Sequence, residues 1–155
     1  MNLRPLTRVD VDALTALSRM CDETYLDWAP PGWTVPTAPP RWADRYLEGD
    51  AFTLLGFEDD ALISSVAFRA HSQSVAHVGL VIVRPSHWRQ GIARRMIGLA
   101  EAEMRVRGFV REQLWTPLGA PAEQLYRALG WARDGRREWH PWVGLEMVGY
   151  AKDLE

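Results

Sequence analysis

Apolar and polar residues alternate along this chain in two rhythms, and the places where the rhythm changes mark out its elements. Residues 2–6 form a short first strand, and Thr7 with Asp10 gives a capping-box-like start to a helix running to about Met20. Ala13, Leu14, Leu17 and Cys21 fall at helical spacing along it. Prolines 30, 31, 36, 39 and 40 then exclude a continuous helix or central strand, so residues 29–40 are expected to be a surface loop. A short helix opens at Pro40 or Arg41, with Trp42 and Tyr46 one turn apart and Gly49 beyond its end.

From Ala51 the period becomes two. Strands are expected at residues 51–57, 62–70 and 75–83, joined by polar turns at 58–60 and 71–74, which is an antiparallel meander. Residues 91–107 return to helical spacing, placing Ile92, Met96, Leu99, Ala100 and Met104 on one face, with Gly108 as the stop. A strand at 110–116, a helix at 121–129 ended by Gly130, and a strand pair at 131–140 and 145–152 complete the chain. The order β-α-α-β-β-β-α-β-α-β-β defines an α+β fold, a mixed and mostly antiparallel sheet flanked by helices. The βαβ unit from 75 to 116 requires its two strands to be parallel.

Composition narrows the function classes. A chain of 155 residues with 47% apolar content suits one soluble domain spanning residues 1–155. Cys21 is the only cysteine, which excludes an intrachain disulfide and a cysteine-built zinc site. His71, His77, His87 and His140 show no paired metal spacing, so no metal is expected. The first residues lack the apolar core of a signal peptide and no apolar run is long enough to span a bilayer, so a cytoplasmic protein without membrane partners is expected. A formal net charge of −2 argues against a nucleic-acid partner. Arg84, Arg89, Arg94 and Arg95 are nevertheless dense enough locally for a small anion.

Those arginines surround the most informative stretch, residues 81–96, where a β-branched run passes through a polar loop into an amphipathic helix. A helix start near Gly91 leaves amide N–H groups unpaired beside a partial positive charge, and Gly91 and Ala93 carry almost no side chain to keep an anion away. Trp88-Arg89-Gln90-Gly91-Ile92-Ala93 resembles motif A of the GNAT superfamily of N-acetyltransferases, [Gln/Arg]-x-x-Gly-x-[Gly/Ala], with Trp88 at the Gln/Arg position. The resemblance implies a GNAT-like fold and acetyl-coenzyme A as acetyl donor, its pyrophosphate held by the loop amides of Arg89, Gln90, Gly91, Ile92, Ala93 and Arg94. It also implies that main-chain groups of Val81, Ile82 and Val83 meet the thioester and the pantetheine arm.

Residues 122–131 resemble the family's Ala-x-x-Leu-Tyr-x-x-x-Gly-Phe signature, with Trp131 for Phe. By this match Tyr126 is the acid that protonates the departing thiolate; the competing reading is a tyrosine packed on the sheet. Gly119 stands where the family often has a cofactor-contacting Asn. Strand 75–83 has no Asp or Glu, leaving His77 as the candidate base, against a half-exposed histidine with no role. Glu138, His140, Asp22 and Glu23 are weaker candidates. Trp28, Trp33 and Trp42 surround the proline-rich loop and are candidate walls for a small-molecule or peptide amine acceptor. Trp139 and Trp142 join that wall or form a homodimer contact. The enzyme reading is an N-acetyltransferase working by direct attack in a ternary complex. The alternative is a non-catalytic acyl-CoA-binding module of the same fold.

Overall fold

The computed structural model describes residues 1–155. The period-two segments form one seven-stranded sheet from β1 (Asn2–Pro5), β2 (Phe52–Glu58), β3 (Ala61–Ala70), β4 (Val75–Val83), β5 (Arg111–Pro117), β6 (Ala132–His140) and β7 (Leu145–Asp153), ordered β1-β2-β3-β4-β5-β7-β6. All neighbours are antiparallel except β4 and β5, which are parallel as the βαβ unit demands. The helices are α1 (Val11–Glu23), α2 (Asp44–Leu47), α3 (Ile92–Val106) and α4 (Ala122–Ala128). The expected order of elements is the observed one. No helix is long and apolar enough to cross a membrane.

Each face of the sheet has its own core. Val66, Phe68, Ala76, Val78 and Leu114 pack under Met96, Ile97, Ala100 and Met104 of α3. On the opposite face, Leu55 and Leu62 meet Leu14 and Leu17 of α1. The start of α1 is fixed by Asp10, whose carboxylate accepts the Thr7 amide at 2.9 Å, the Thr7 hydroxyl at 2.8 Å and both Arg4 guanidinium nitrogens at 2.7 Å. A helix was expected from Pro40 or Arg41, but only the turn Asp44–Leu47 is helical. Arg41 takes φ 61°, a left-handed conformation incompatible with continuing a helix through it.

Two irregularities in β4 shape the rest of the molecule. Its ladder to β5 has three pairs and ends at His77–Gln113, so the two strands part while β4 runs on to Val83. Across β3, Ser65 opposes Ile82 while Ala67 opposes Gly79, which leaves an extra residue on β4. The bulge falls at Leu80, held at φ 51°, where its carbonyl accepts the Ser65 hydroxyl at 2.6 Å. That hydrogen bond offsets part of the roughly 1–2 kcal/mol cost of a left-handed leucine.

Candidate active site

Where β4 and β5 part, a cleft of about 450 Å³ opens. Val81, Ile82 and Val83 line one side, beyond the bulge that takes main-chain groups out of regular pairing. Ala120, Ala122, Leu125 and Tyr126 line the other, from α4 and the turn before it. Cys21, Thr24, Tyr25 and Trp28, from the end of α1 and the turn after it, close a third side.

The N-terminus of α3 forms the mouth. Arg89 at φ 62° and Gly91 at φ 77° fold the loop so that Arg95 is the first residue bonded back one turn, its amide 3.0 Å from the Gly91 carbonyl. The amides of Ile92, Ala93 and Arg94 therefore have no carbonyl one turn behind them. A Cβ at Gly91 would meet no atom within 4 Å, so the loop presents open space there. Arg84, Arg89, Arg94 and Arg95 make no ion pair, whereas outside this stretch only Arg45 and Arg69 lack a carboxylate partner. A chain that neutralises most of its arginines has left these four available for an anion.

Of the residues expected to hold the cofactor, Val81, Ile82, Val83, Arg89, Gly91, Ile92, Ala93 and Arg94 line the cleft, and the exposed Gln90 does not. Trp88 also lines it, and its indole N–H donates to the Val83 carbonyl at 2.7 Å. In place of the charged side chain of the family pattern, this position ties the loop to the end of β4. Gly119, at φ 82°, donates its amide to Glu123 Oε2 at 2.6 Å and so turns the chain into α4.

Glu123 was not foreseen and holds Tyr126 in place. Its buried carboxylate also accepts the Tyr150 hydroxyl at 2.6 Å and Arg133 Nη2 at 2.6 Å, pinning α4 to β7 and β6. Burial alone would raise its pKa, but the bonds from Tyr150, Arg133 and the Gly119 amide hold it below the ordinary carboxylate value. One turn on, Tyr126 is 6% exposed, with its ring 5.8 Å from that of Trp131 and 6.0 Å from that of Tyr150. Its hydroxyl lacks a protein hydrogen-bond partner, and burial pushes the phenol well above its usual pKa.

Tyr25 is a second phenol on the cleft wall that sequence reasoning missed. Burial, then the charges of Asp22 and Cys21, raise its pKa as well. Its ring lies 4.9 Å from Trp28 and 5.9 Å from Trp33. Trp28 is thus at the cleft and Trp33 one ring behind it. Trp42 does not reach the cleft: its indole N–H donates to Thr15 Oγ1 at 2.8 Å and its ring packs with Tyr46 on the α1 core. Helical spacing could not distinguish those two destinations. Cys21 donates its thiol to the Val83 carbonyl at 3.3 Å, and burial pushes its pKa up to about 12, which makes it a poor nucleophile.

The expected base is elsewhere. His77 forms the last rung before the splay, with Gln113, and is absent from the cleft wall. Burial, followed by Arg69, Arg136, His71 and Arg45, lowers its pKa to about 4, so it is a weak base. Among the weaker candidates, His140 accepts the Val143 amide at 3.1 Å to shape the β6–β7 turn. Asp22, whose pKa burial raises to about 6, is the carboxylate whose charge bears on Tyr25 and Cys21. Trp139 is 60% exposed on β6, while Trp142 bonds to the proline-rich loop.

The comparisons with known proteins agree with this fold. The chain belongs to the acetyltransferase (GNAT) family, whose model matches residues 18–131. Solved structures share the fold. The ribosomal-protein-alanine N-acetyltransferase of Brucella melitensis superposes with a TM-score of 0.75 at 16% identity, covering 99% of this chain and 100% of that one. The PaiA N-acetyltransferase of Thermoplasma acidophilum, solved with coenzyme A, gives 0.73 at 16% identity and 98% coverage of both chains. An aminoglycoside 6'-N-acetyltransferase complexed with coenzyme A gives 0.73 at 15% identity, covering 100% of this chain and 98% of that one. No curated protein matches the sequence.

Proposed function

We propose that this protein transfers an acetyl group from acetyl-coenzyme A to a primary amine, by direct attack within a ternary complex. The observation that carries the reading is the cleft itself. Unpaired amides and carboxylate-free arginines stand at one end, and an unpartnered phenol lies on the wall further in. A pyrophosphate fits the first: the Gly91 turn is open, and Ile92, Ala93 and Arg94 offer amides with Arg89 and Arg94 beside them. The splay and the bulge present the main chain of Val81 and Ile82 to an extended arm and to a polarised thioester carbonyl.

The chain's own part in the chemistry is modest. Attack of a neutral amine on the thioester carbonyl forms the C–N bond, and collapse breaks the C–S bond and expels a thiolate. Tyr126, a phenol that carries its proton at neutral pH and lines the cleft wall, supplies a proton to that sulfur. Tyr25 and Trp28 bound the side from which an amine would approach, and Asp22 behind Tyr25 is the carboxylate nearest in role to a proton acceptor. The high pKa of Cys21 favours direct attack over a covalent acetyl-cysteine.

A thiol-release assay with acetyl-coenzyme A and an amine panel, run beside a thermal-shift titration of the same donor, tests the reading. Release that requires both substrates is the expected result. Stabilisation by acetyl-coenzyme A with no release from any amine would select the binding module instead.

A further inference from the structure

On the face of the sheet away from α3, Arg69, His77 and Gln113 stand side by side on β3, β4 and β5. Ala76 and Val78, flanking His77, are buried under α3, so alternation turns His77 to the other side. Trp115 shares that face two residues along β5, and the Arg136 guanidinium lies 4.5 Å from its ring centroid. Arg136 reaches there from β6 across Gly149, where a Cβ would come within 2.6 Å of its Nε. Helices α1 and α2 pack mainly over β2, β3 and β4, and Arg69, His77, Gln113 and Trp115 remain half-buried.

The charge in this row is one-sided. Arg136 is matched by Asp134 at 2.7 Å, but Arg69 and Arg45 have no carboxylate. The Nε of Arg69 is buried with no hydrogen-bond acceptor, a costly state for a charged donor. After burial, it is the guanidinium groups of Arg69, Arg136 and Arg45 that disfavour a proton on His77. A half-buried face with an unsatisfied buried guanidinium donor, and with Arg45 and Arg69 offset by no carboxylate, is suited to receive an oxyanion.

We infer that this face binds an anionic group, carboxylate or phosphate, carried by the acceptor amine, with Arg69 as its principal partner. The inference rests on the acetyltransferase reading for the amine's position. The His77–Gln113 rung is the foot of the splay, and the bulge at Leu80 lies three residues further along β4. At about 3.3 Å per residue the anion sits roughly 10 Å from the reacting carbonyl. That span fits a peptide N-terminus whose third residue is acidic.

The test uses three tripeptide amides, identical except for aspartate, phosphoserine or asparagine at the third position. In the wild-type protein the aspartate or the phosphoserine peptide should show a kcat/KM about tenfold above asparagine, and whichever is preferred identifies the oxyanion. Arg69→Gln should bring the ratio close to one while acetyl-coenzyme A affinity, read as a check on the fold, stays the same. Arg69→Lys should retain part of the preference. Side-chain NMR signals of Arg69 Nε–H and the His77 ring, followed on adding each peptide, give a readout independent of turnover. Acetylation of all three peptides at equal rates overturns this inference and leaves the activity standing. Anion-dependent shifts without acetylation of any peptide overturn the activity and leave the anion site standing. Absence of both anion-dependent shifts and rate preference overturns the site.

Discussion

Trp33 and Trp142 clasp each other's segments: the Trp33 indole N–H donates to the Val143 carbonyl at 2.9 Å, and the Trp142 indole N–H donates to the Thr37 carbonyl at 3.0 Å. The proline-rich loop is thereby strapped to the β6–β7 turn, with the Trp33 ring also tilted against that of Tyr25. Trp33→Ala removes the ring contact and one strap. Acceptor KM should rise about fivefold, the worth of roughly one net hydrogen bond, with acetyl-coenzyme A KM unchanged. Trp142→Phe, which removes only a strap, should act in the same direction and less. Steady-state kinetics with each substrate varied in turn decides it, and equal increases in both KM values would indicate a general loss of fold.

Gly91 stands at φ 77° over open space at the mouth of the cleft. Gly91→Glu adds bulk, backbone strain and negative charge where a pyrophosphate is placed, so affinity for acetyl-coenzyme A should fall more than tenfold. Gly91→Asn tolerates the left-handed backbone and should retain most of the affinity. Calorimetric titration of both variants checks this, and unchanged affinity in Gly91→Glu would displace the binding site from this loop.

Tyr126 is buried, protonated and without a protein partner for its hydroxyl. Tyr126→Phe should keep the melting temperature and donor affinity while lowering kcat by roughly 10²–10⁴-fold, the usual worth of a positioned acid. Full activity under conditions where chemistry limits turnover would reduce Tyr126 to a packing residue.

Glu112, fully buried on β5 beneath α3, has no hydrogen-bond partner at either oxygen and lies near Glu101, which Lys152 holds at 3.0 Å. Burial first, and the Glu101 charge second, raise its pKa well above the usual carboxylate value. The unfolded chain loses that proton at lower pH than the folded one, so stability falls as pH rises from the ordinary carboxylate range toward the raised value. Glu112→Gln, nearly isosteric and always neutral, should stabilise the protein at pH 8 by on the order of 2 kcal/mol and change little at pH 4. Denaturant melts across that range measure it; equal effects at both ends would mean that Glu112 is not protonated in the fold.

Much of this was legible in the sequence because alternation and helical spacing are local properties. The β4 strand, α3 with its glycine start, and the parallel pairing of β4 with β5 follow from residues 75–116 alone. What escaped was non-local. Trp42 and Trp28 have similar neighbours in the chain, yet one is sealed against α1 and the other faces the cleft. Glu123 resembles any helix-surface acid until β6 and β7 bring Arg133 and Tyr150 to it. The low basicity of His77 comes first from its burial and then from arginines drawn from β3, β6 and α2, and no spacing rule collects those.

The short parallel ladder between β4 and β5 has a mechanical meaning. With three rungs, from Val75–Arg111 to His77–Gln113, it is a brief seam between two plates, β1 to β4 on one side and β5 to β7 on the other. No hairpin reinforces it, because its two strands are joined through the whole length of α3. Such a seam closes late in folding, since the chain must complete a crossover before any rung can form. What holds the two plates together is therefore packing more than hydrogen bonding, since one core beneath α3 draws on Val66, Phe68, Ala76 and Val78 from one plate and on Leu114, Val148 and Tyr150 from the other.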